Sequence, residues 1–193
     1  MSKKLFSPLV VALAIVVILV LGSISSFNAL VTLEENVDNA FANIETQYQR
    51  RFDLIPNIIR TVEGVADFEK STLENVVAAR SAWANSNSTN EKIGAANDFE
   101  GAVSRLLVTV EAYPDLKATQ AFRDLIVELE GTENRIAFAR SEFNSVATEY
   151  NKSVRKFPRN LIANAFNFEP DKELFQAGAG ADVVPVVDFG DNQ

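Results

Sequence analysis

In 193 residues there is no cysteine and no histidine. That excludes thiol nucleophiles, thiolate and imidazole metal sites, disulfides, a Ser-His-Asp triad and a lipidated lipoprotein cysteine. Positive charge is also short, with 18 basic against 26 acidic residues and a net charge of −8. A chain that must neutralise phosphates carries the opposite sign, so nucleic acid is not an expected partner. No glycine-rich phosphate loop occurs. Acidic pairs such as Glu34-Glu35 fall off the apolar stripes, with no second residue fixing a reaction geometry. A carboxylate-bridged metal centre needs inward-facing acids from several helices, and the stripes are apolar or arginine-bearing instead. The expectation is a protein that is not an enzyme and holds no cofactor or metal.

What the chain does have is a long apolar run. Leu5 to Ile24 is twenty residues without a charge, roughly 30 Å as a helix, the thickness of a hydrocarbon core. A cleaved signal peptide usually has a shorter apolar region, about 7 to 15 residues, so the run reads as a retained transmembrane anchor. Lys3 and Lys4 precede it, Glu34, Glu35 and Asp38 follow it, and no basic residue appears after it before Arg50. By the positive-inside rule the N-terminus is cytoplasmic and the remainder extracytoplasmic.

Apolar positions then continue at helical spacing without a linker: Val37, Phe41, Ile44, Tyr48, Phe52, Ile55, Ile59, Val62 and Ala66. After a break at 67–70, a second stripe runs through Leu73, Val76, Val77, Arg80 and Trp83 to a polar loop, Asn85 to Asn90. A third carries Ala96, Phe99, Val103, Leu106 and Val110 and closes at Tyr113-Pro114-Asp115, where Asp115 can cap the next helix. The fourth runs from Ile126 through Leu129, Ile136, Phe143, Val146, Tyr150 and Val154 to Pro158. This predicts an all-α fold: an N-terminal transmembrane helix (1–26), an antiparallel four-helix bundle with long first and fourth helices (27–168), and a tail (169–193). Val183 to Val187, VVPVV, is the one strand-like run, in a tail with a Gly/Ala run that either packs down or stays loose, disorder or order induced on binding being the plainer expectation.

Several polar residues sit where the pattern asks for apolar ones. Pro56 lies inside the first helix, where a missing N–H usually kinks the chain at a cost of roughly 3 kcal/mol; Asn57 or a water could serve the freed Phe52 carbonyl. Arg80 falls on its helix's stripe, and counting residues from the turn sets it level with Asp53 and Asn57, so it is expected to pair with Asp53 or to hydrogen-bond to backbone carbonyls near it. The same counting brings Arg50 and Arg51 level with Glu130 and Glu133 as a second network. Gly131 in that region would allow close helix approach. Four alternating passes also return the end of the fourth helix towards the membrane. There Lys152, Arg155, Lys156 and Arg159 accompany Phe157, Leu161, Ile162, Phe166 and Phe168, which read as a cap on the bundle core, a lipid-surface contact or an oligomer contact.

RRFDLIPNIIRTVEGVADFEKSTLENVVAAR, AYPDLKA, LEGTENRIAFAR, YNKSVRKFPRNLIANAFNF and VVPVVDF, in that order from about Phe27 to Phe189, resemble the bacterial LemA family. The resemblance implies one N-terminal transmembrane helix, an antiparallel four-helix bundle, an envelope location, and no established activity or cofactor; the family includes relatives associated with magnetosome membranes. The chain departs from the family pattern with Phe68 where histidine is common, and with Asn164 and Asn167 where glycine is common.

These readings converge on a membrane-anchored structural or scaffold protein of the cell envelope. Its expected partners are the lipid bilayer, further copies of itself and other membrane proteins. The alternative is a monomeric adaptor or signalling module for a membrane protease or sensor protein.

Overall fold

The computed structural model describes residues 8–65, 68–169 and 171–176. All regular structure among them is helical: α1 (Pro8–Glu63), α2 (Lys70–Asn85), α3 (Thr89–Val110), α4 (Pro114–Lys117), α5 (Gln120–Arg155) and α6 (Arg159–Ala165). Lys3, Lys4 and the VVPVV run lie outside the described residues.

The 56 residues of α1 make a single helix, about 84 Å long at 1.5 Å per residue. Its first part carries an 18-residue window of mean hydropathy 2.8, none of it buried in the fold. This helix is long and apolar enough to cross a membrane. No break separates it from the residues that enter the core, so the expected boundary at residue 26 falls inside one helix. From Leu30 onward α1 buries Val37, Phe41, Ile44, Tyr48, Phe52, Ile55, Ile58 and Val62. α1 lies chiefly against α5, and α2 against α3. Partners on α5 fall in number as those on α1 rise: Phe41 meets Phe143 at 5.6 Å between ring centroids, and Arg51 meets Glu133.

Local signals account for the helix ends. Ser88 caps α3 by accepting from the Glu91 N–H at 3.2 Å, while the Glu91 carboxylate takes the Asn87 N–H at 2.8 Å, a close variant of the reciprocal capping box. Pro114 opens a separate short helix, α4, so Asp115 lies in its first turn, and Thr119 rather than Asp115 caps α5. Gly64 follows the last residue of α1, so the glycine of the RRFDLIPNIIRTVEG stretch sits at a helix end. α1 continues through Pro56. The Asn57 side chain is engaged by Arg60 rather than by the Phe52 carbonyl.

The core has two storeys. The upper one is aromatic: Trp83 from α2 and Phe99 from α3 close on Tyr48 and Phe52, with centroids 4.6 Å apart for Tyr48–Trp83 and 4.8 Å for Phe52–Phe99. In the lower one, below the ends of α2 and α3, α1 and α5 continue as a pair covered by α6 and residues 168–169 and 171–176. There Phe175 and Ala163 complete the buried set. The tail thus begins as a packed strap, the first of the two outcomes expected for it, and not as the plainer loose segment.

A buried charge cluster and a clasped strap

Arg51 is 4% exposed, and no guanidinium is placed there without partners, because an unpaired buried charge is costly. Its Nη1 donates to Glu100 at 2.8 Å and also reaches Glu133. Tyr48, on the same face of α1, donates its hydroxyl to Glu100 at 3.0 Å and accepts from Arg140. Arg140 stands 3.8 Å from Glu100. The cluster therefore draws Tyr48 and Arg51 from α1, Glu100 from α3, and Glu133 and Arg140 from α5, two cations against two carboxylates. Arg51 also lies 6.0 Å from the Phe99 ring centroid, and Arg140 lies over Tyr48 and Phe175 at 5.6 and 5.0 Å. Each guanidinium keeps one buried Nε without an acceptor.

Burial is the largest influence on the Glu100 carboxyl. With the repulsion of Glu133, it outweighs the attraction of Arg51 and Arg140 and pushes the pKa above the ordinary value. Burial, followed by the Glu100 charge, pushes the Tyr48 phenol upward. The tyrosine therefore keeps its proton and serves as a donor. Both carboxylates are engaged by arginine or tyrosine, which makes the arrangement a cross-brace of three helices.

The expected networks are partly rearranged. Arg51 and Glu133 meet, but Arg50 and Glu130 are exposed; Glu130 lines a cleft of about 370 Å³ between α3 and α5 that also borders the cluster. Arg80 does not pair with Asp53. The carboxylate of Asp53 accepts from Gln49 at 2.8 Å, and Arg80 lines a half-open cleft beside Arg50, Glu45 and Lys92. The physical reason is rotation: α2 buries Thr72, Val76 and Trp83, which carries Arg80 to the edge of the buried face. Gly131 does not serve close approach either, since a Cβ there would meet nothing within 4 Å. Glu100 and Arg140 escaped the sequence reading. The available signal was Tyr48, a stripe residue whose buried hydroxyl required a polar partner.

Lower on α5, the strap is held by amides. Asn151 donates from Nδ2 to the Lys172 carbonyl and accepts the Lys172 N–H, both at 2.8 Å. Asn144 does the same for Phe175 at 2.8 and 2.9 Å. Seven helical residues rise about 10.5 Å, and three extended residues cover about 10 Å, so spacings of seven and three match. Tyr150 donates to the Glu169 carbonyl at 2.9 Å. Lys172 lies 2.6 Å from Glu169 and 3.5 Å from Glu34. Burial alone would lower the lysine pKa, but Glu169, Glu34 and Asp38 outweigh it and raise it.

Between α5 and the strap, α6 brings the remaining candidate residues to the foot of the domain. Phe157, Leu161 and Phe166 are exposed, while Ile162 and Phe168 are half-buried against the core. The four basic residues do not form one open patch: Arg155 pairs with Asp171, and Arg159 donates to the Ser153 hydroxyl at 2.8 Å. The side chains of Lys152 and Lys156 have no partner among the described residues.

A family model, LemA family, matches residues 40–189. The chain belongs to the LemA family. Similar proteins include magnetosome protein MamQ of Magnetospirillum gryphiswaldense, 26% identical over 180 residues, covering 80% of this chain and 66% of that protein. Magnetosome protein MamQ 2 of Paramagnetospirillum magneticum is 24% identical over 205 residues, covering 93% and 75%. Protein LemA of Metamycoplasma hominis is 24% identical over 151 residues, covering 78% and 68%. The chain thus spans about two thirds to three quarters of the length of these relatives. The matched region of this LemA-family chain includes the charge cluster, the two clasping asparagines and α6, and begins after the apolar part of α1.

Proposed function

We propose that this LemA-family chain is a non-enzymatic, membrane-anchored structural protein of the bacterial envelope that self-associates and scaffolds other membrane proteins. In this reading the start of α1 crosses the inner membrane with the N-terminus cytoplasmic. The remainder is an antiparallel four-helix bundle standing outside it, built from α1, α2, α3 and α5. The opposed numbering of the α1 and α5 contacts and the short α1–α2 and α2–α3 connections support the antiparallel reading.

The observation that carries the reading is the continuity of α1. One helix supplies both the apolar span and the spine of the core, so the domain is held upright by a rigid post instead of trailing on a linker. A post suits a protein whose task is position. The buried polar groups are likewise spent on bracing helices and strap. The names of the relatives, magnetosome proteins among them, are compatible with an organising role at a membrane.

The test is the mass of the full-length protein in nanodiscs or gentle detergent, beside a chain beginning at Phe27. A discrete oligomer of the full-length chain is expected. A monomer in both forms rejects self-association as the basis of function and favours the monomeric adaptor for a membrane protease or sensor.

A further inference from the structure

The foot of the domain presents apolar surface that the fold leaves uncovered. Phe157 is 74% exposed, Leu161 57% and Phe166 60%. All three lie on α6 or beside its ends, whereas the inner side of the same short element buries Ala163 and rests Ile162 and Phe168 on the core.

Its position along α1 identifies what covers it. The Phe166 ring lies 4.8 Å from that of Phe27, and the Phe168 ring 5.7 Å. Phe27 is three residues, about 4.5 Å, beyond Ile24, where the apolar run ends. The headgroup layer on each side of a bilayer is about 5–7 Å thick. The first charged residue after the run, Glu34, comes another seven residues on, about 10.5 Å. The aromatic foot therefore stands at the depth where a chain leaves hydrocarbon and has not yet reached bulk water, the level that aromatic side chains favour.

We propose that α6 and its flanking phenylalanines form an interfacial foot that inserts Phe157, Leu161 and Phe166 into the bilayer crossed by α1. This rests on α1 being a transmembrane anchor and adds a second attachment beside it, fixing the tilt and rotation of the domain. The contact is apolar in origin. Arg155 and Arg159 are engaged by Asp171 and Ser153, so only Lys152 and Lys156 remain of the four basic residues to attract anionic headgroups. Insertion consequently does not require anionic lipid.

The absence of native cysteine makes the test direct. Single cysteines at Phe157, Leu161 and Phe166 in the full chain, each carrying an environment-sensitive fluorophore, are read in nanodiscs holding one chain each. Ile18 in the apolar run and Phe138, 72% exposed on α5, are the two references. Emission at the three foot positions should shift to the blue and be quenched by lipid-borne nitroxide several-fold more than at Phe138. The effect should persist in phosphatidylcholine alone and in phosphatidylcholine mixed with phosphatidylglycerol. Quenching at the foot no stronger than at Phe138, with strong quenching at Ile18, overturns the foot while leaving the anchor intact. Absent quenching at Ile18 as well overturns the anchor. A blue shift without lipid quenching, seen only when the same labelled chains are crowded into vesicles, assigns the surface to a second copy, and quenching only with phosphatidylglycerol assigns the contact to the two lysines; either result overturns the proposal.

Discussion

Around Glu133 and Arg140, α5 turns ionised groups towards its neighbours; further along, Asn144 and Asn151 turn amides towards the strap. The charged half draws its members from three helices, and it still leaves Arg51 Nε and Arg140 Nε without acceptors. The amide half needs only one side chain per backbone residue, because a carboxamide offers both the acceptor that a backbone N–H needs and the donor that a backbone carbonyl needs. The first arrangement sets how three helices stand relative to one another. The second fastens a segment to one helix. Buried charge thus acts across the whole domain here, and buried amides act locally.

The largest effect should come from removing the centre of the charged half. Arg51→Ala leaves Glu100 buried without its guanidinium, a loss of about 3–5 kcal/mol. Thermal unfolding followed by circular dichroism should shift downward by roughly 10 °C for a domain of this size. Adding Glu100→Gln to Arg51→Met should recover most of that loss, because both members of the pair are then neutral. If the double variant is as unstable as Arg51→Ala, packing rather than charge pairing is what Arg51 supplies.

A smaller and more confined effect is expected from the amide half. Asn151→Ala strips the Lys172 N–H and carbonyl of their partners, worth about 1–3 kcal/mol in the stability of the strap. Hydrogen exchange at 171–176 should accelerate while the main unfolding transition hardly moves. Asn144→Ala should act alike at Phe175. A global loss as large as that of Arg51→Ala would show that strap and helices unfold as one unit, and the contrast between the halves would disappear.

The difference between the halves also governs what could be read from the chain. Helix spans, the apolar start of α1 and most core positions follow from 3.6-residue periodicity, which needs no knowledge of neighbours. Arg51 and Glu133 could be brought together by counting levels in opposed helices, because rise per residue is fixed. Counting does not fix rotation, however, and there the reading failed: Arg80 stands at the edge of α2's buried face, and Glu130 lies exposed beside the cluster. Glu100 has its carboxylate inside because Phe99 and Val103 turn that face of α3 towards Tyr48, a tertiary fact. The strap was harder still. Asn144 and Asn151 are ordinary polar helix residues until a chain segment beyond a further helix, α6, lies across them. Their seven-residue spacing beside a buried stripe was the one signal present, and it is shared by many solvent-facing pairs.

The two halves should differ finally in their response to acid, and Glu100 sets the sign. Burial raises its pKa above the ordinary glutamate value, so the folded chain holds that proton more tightly than the unfolded chain does. Its contribution to stability is therefore fully present below the unfolded pKa and is lost as pH rises through the folded one. Wild type and Glu100→Gln, unfolded by urea at a series of pH values from the ordinary glutamate pKa upward, should show wild type losing ground against the variant as pH rises. The amide half predicts no such trend for Asn151→Ala, whose deficit in strap protection should stay constant over the same window, since no carboxamide titrates there. A wild-type advantage over Glu100→Gln that grows with pH would mean that Arg51 and Arg140 outweigh burial at Glu100. Ionisation of Glu100 would then favour the fold, and the reading that burial dominates at that carboxyl would have to be abandoned.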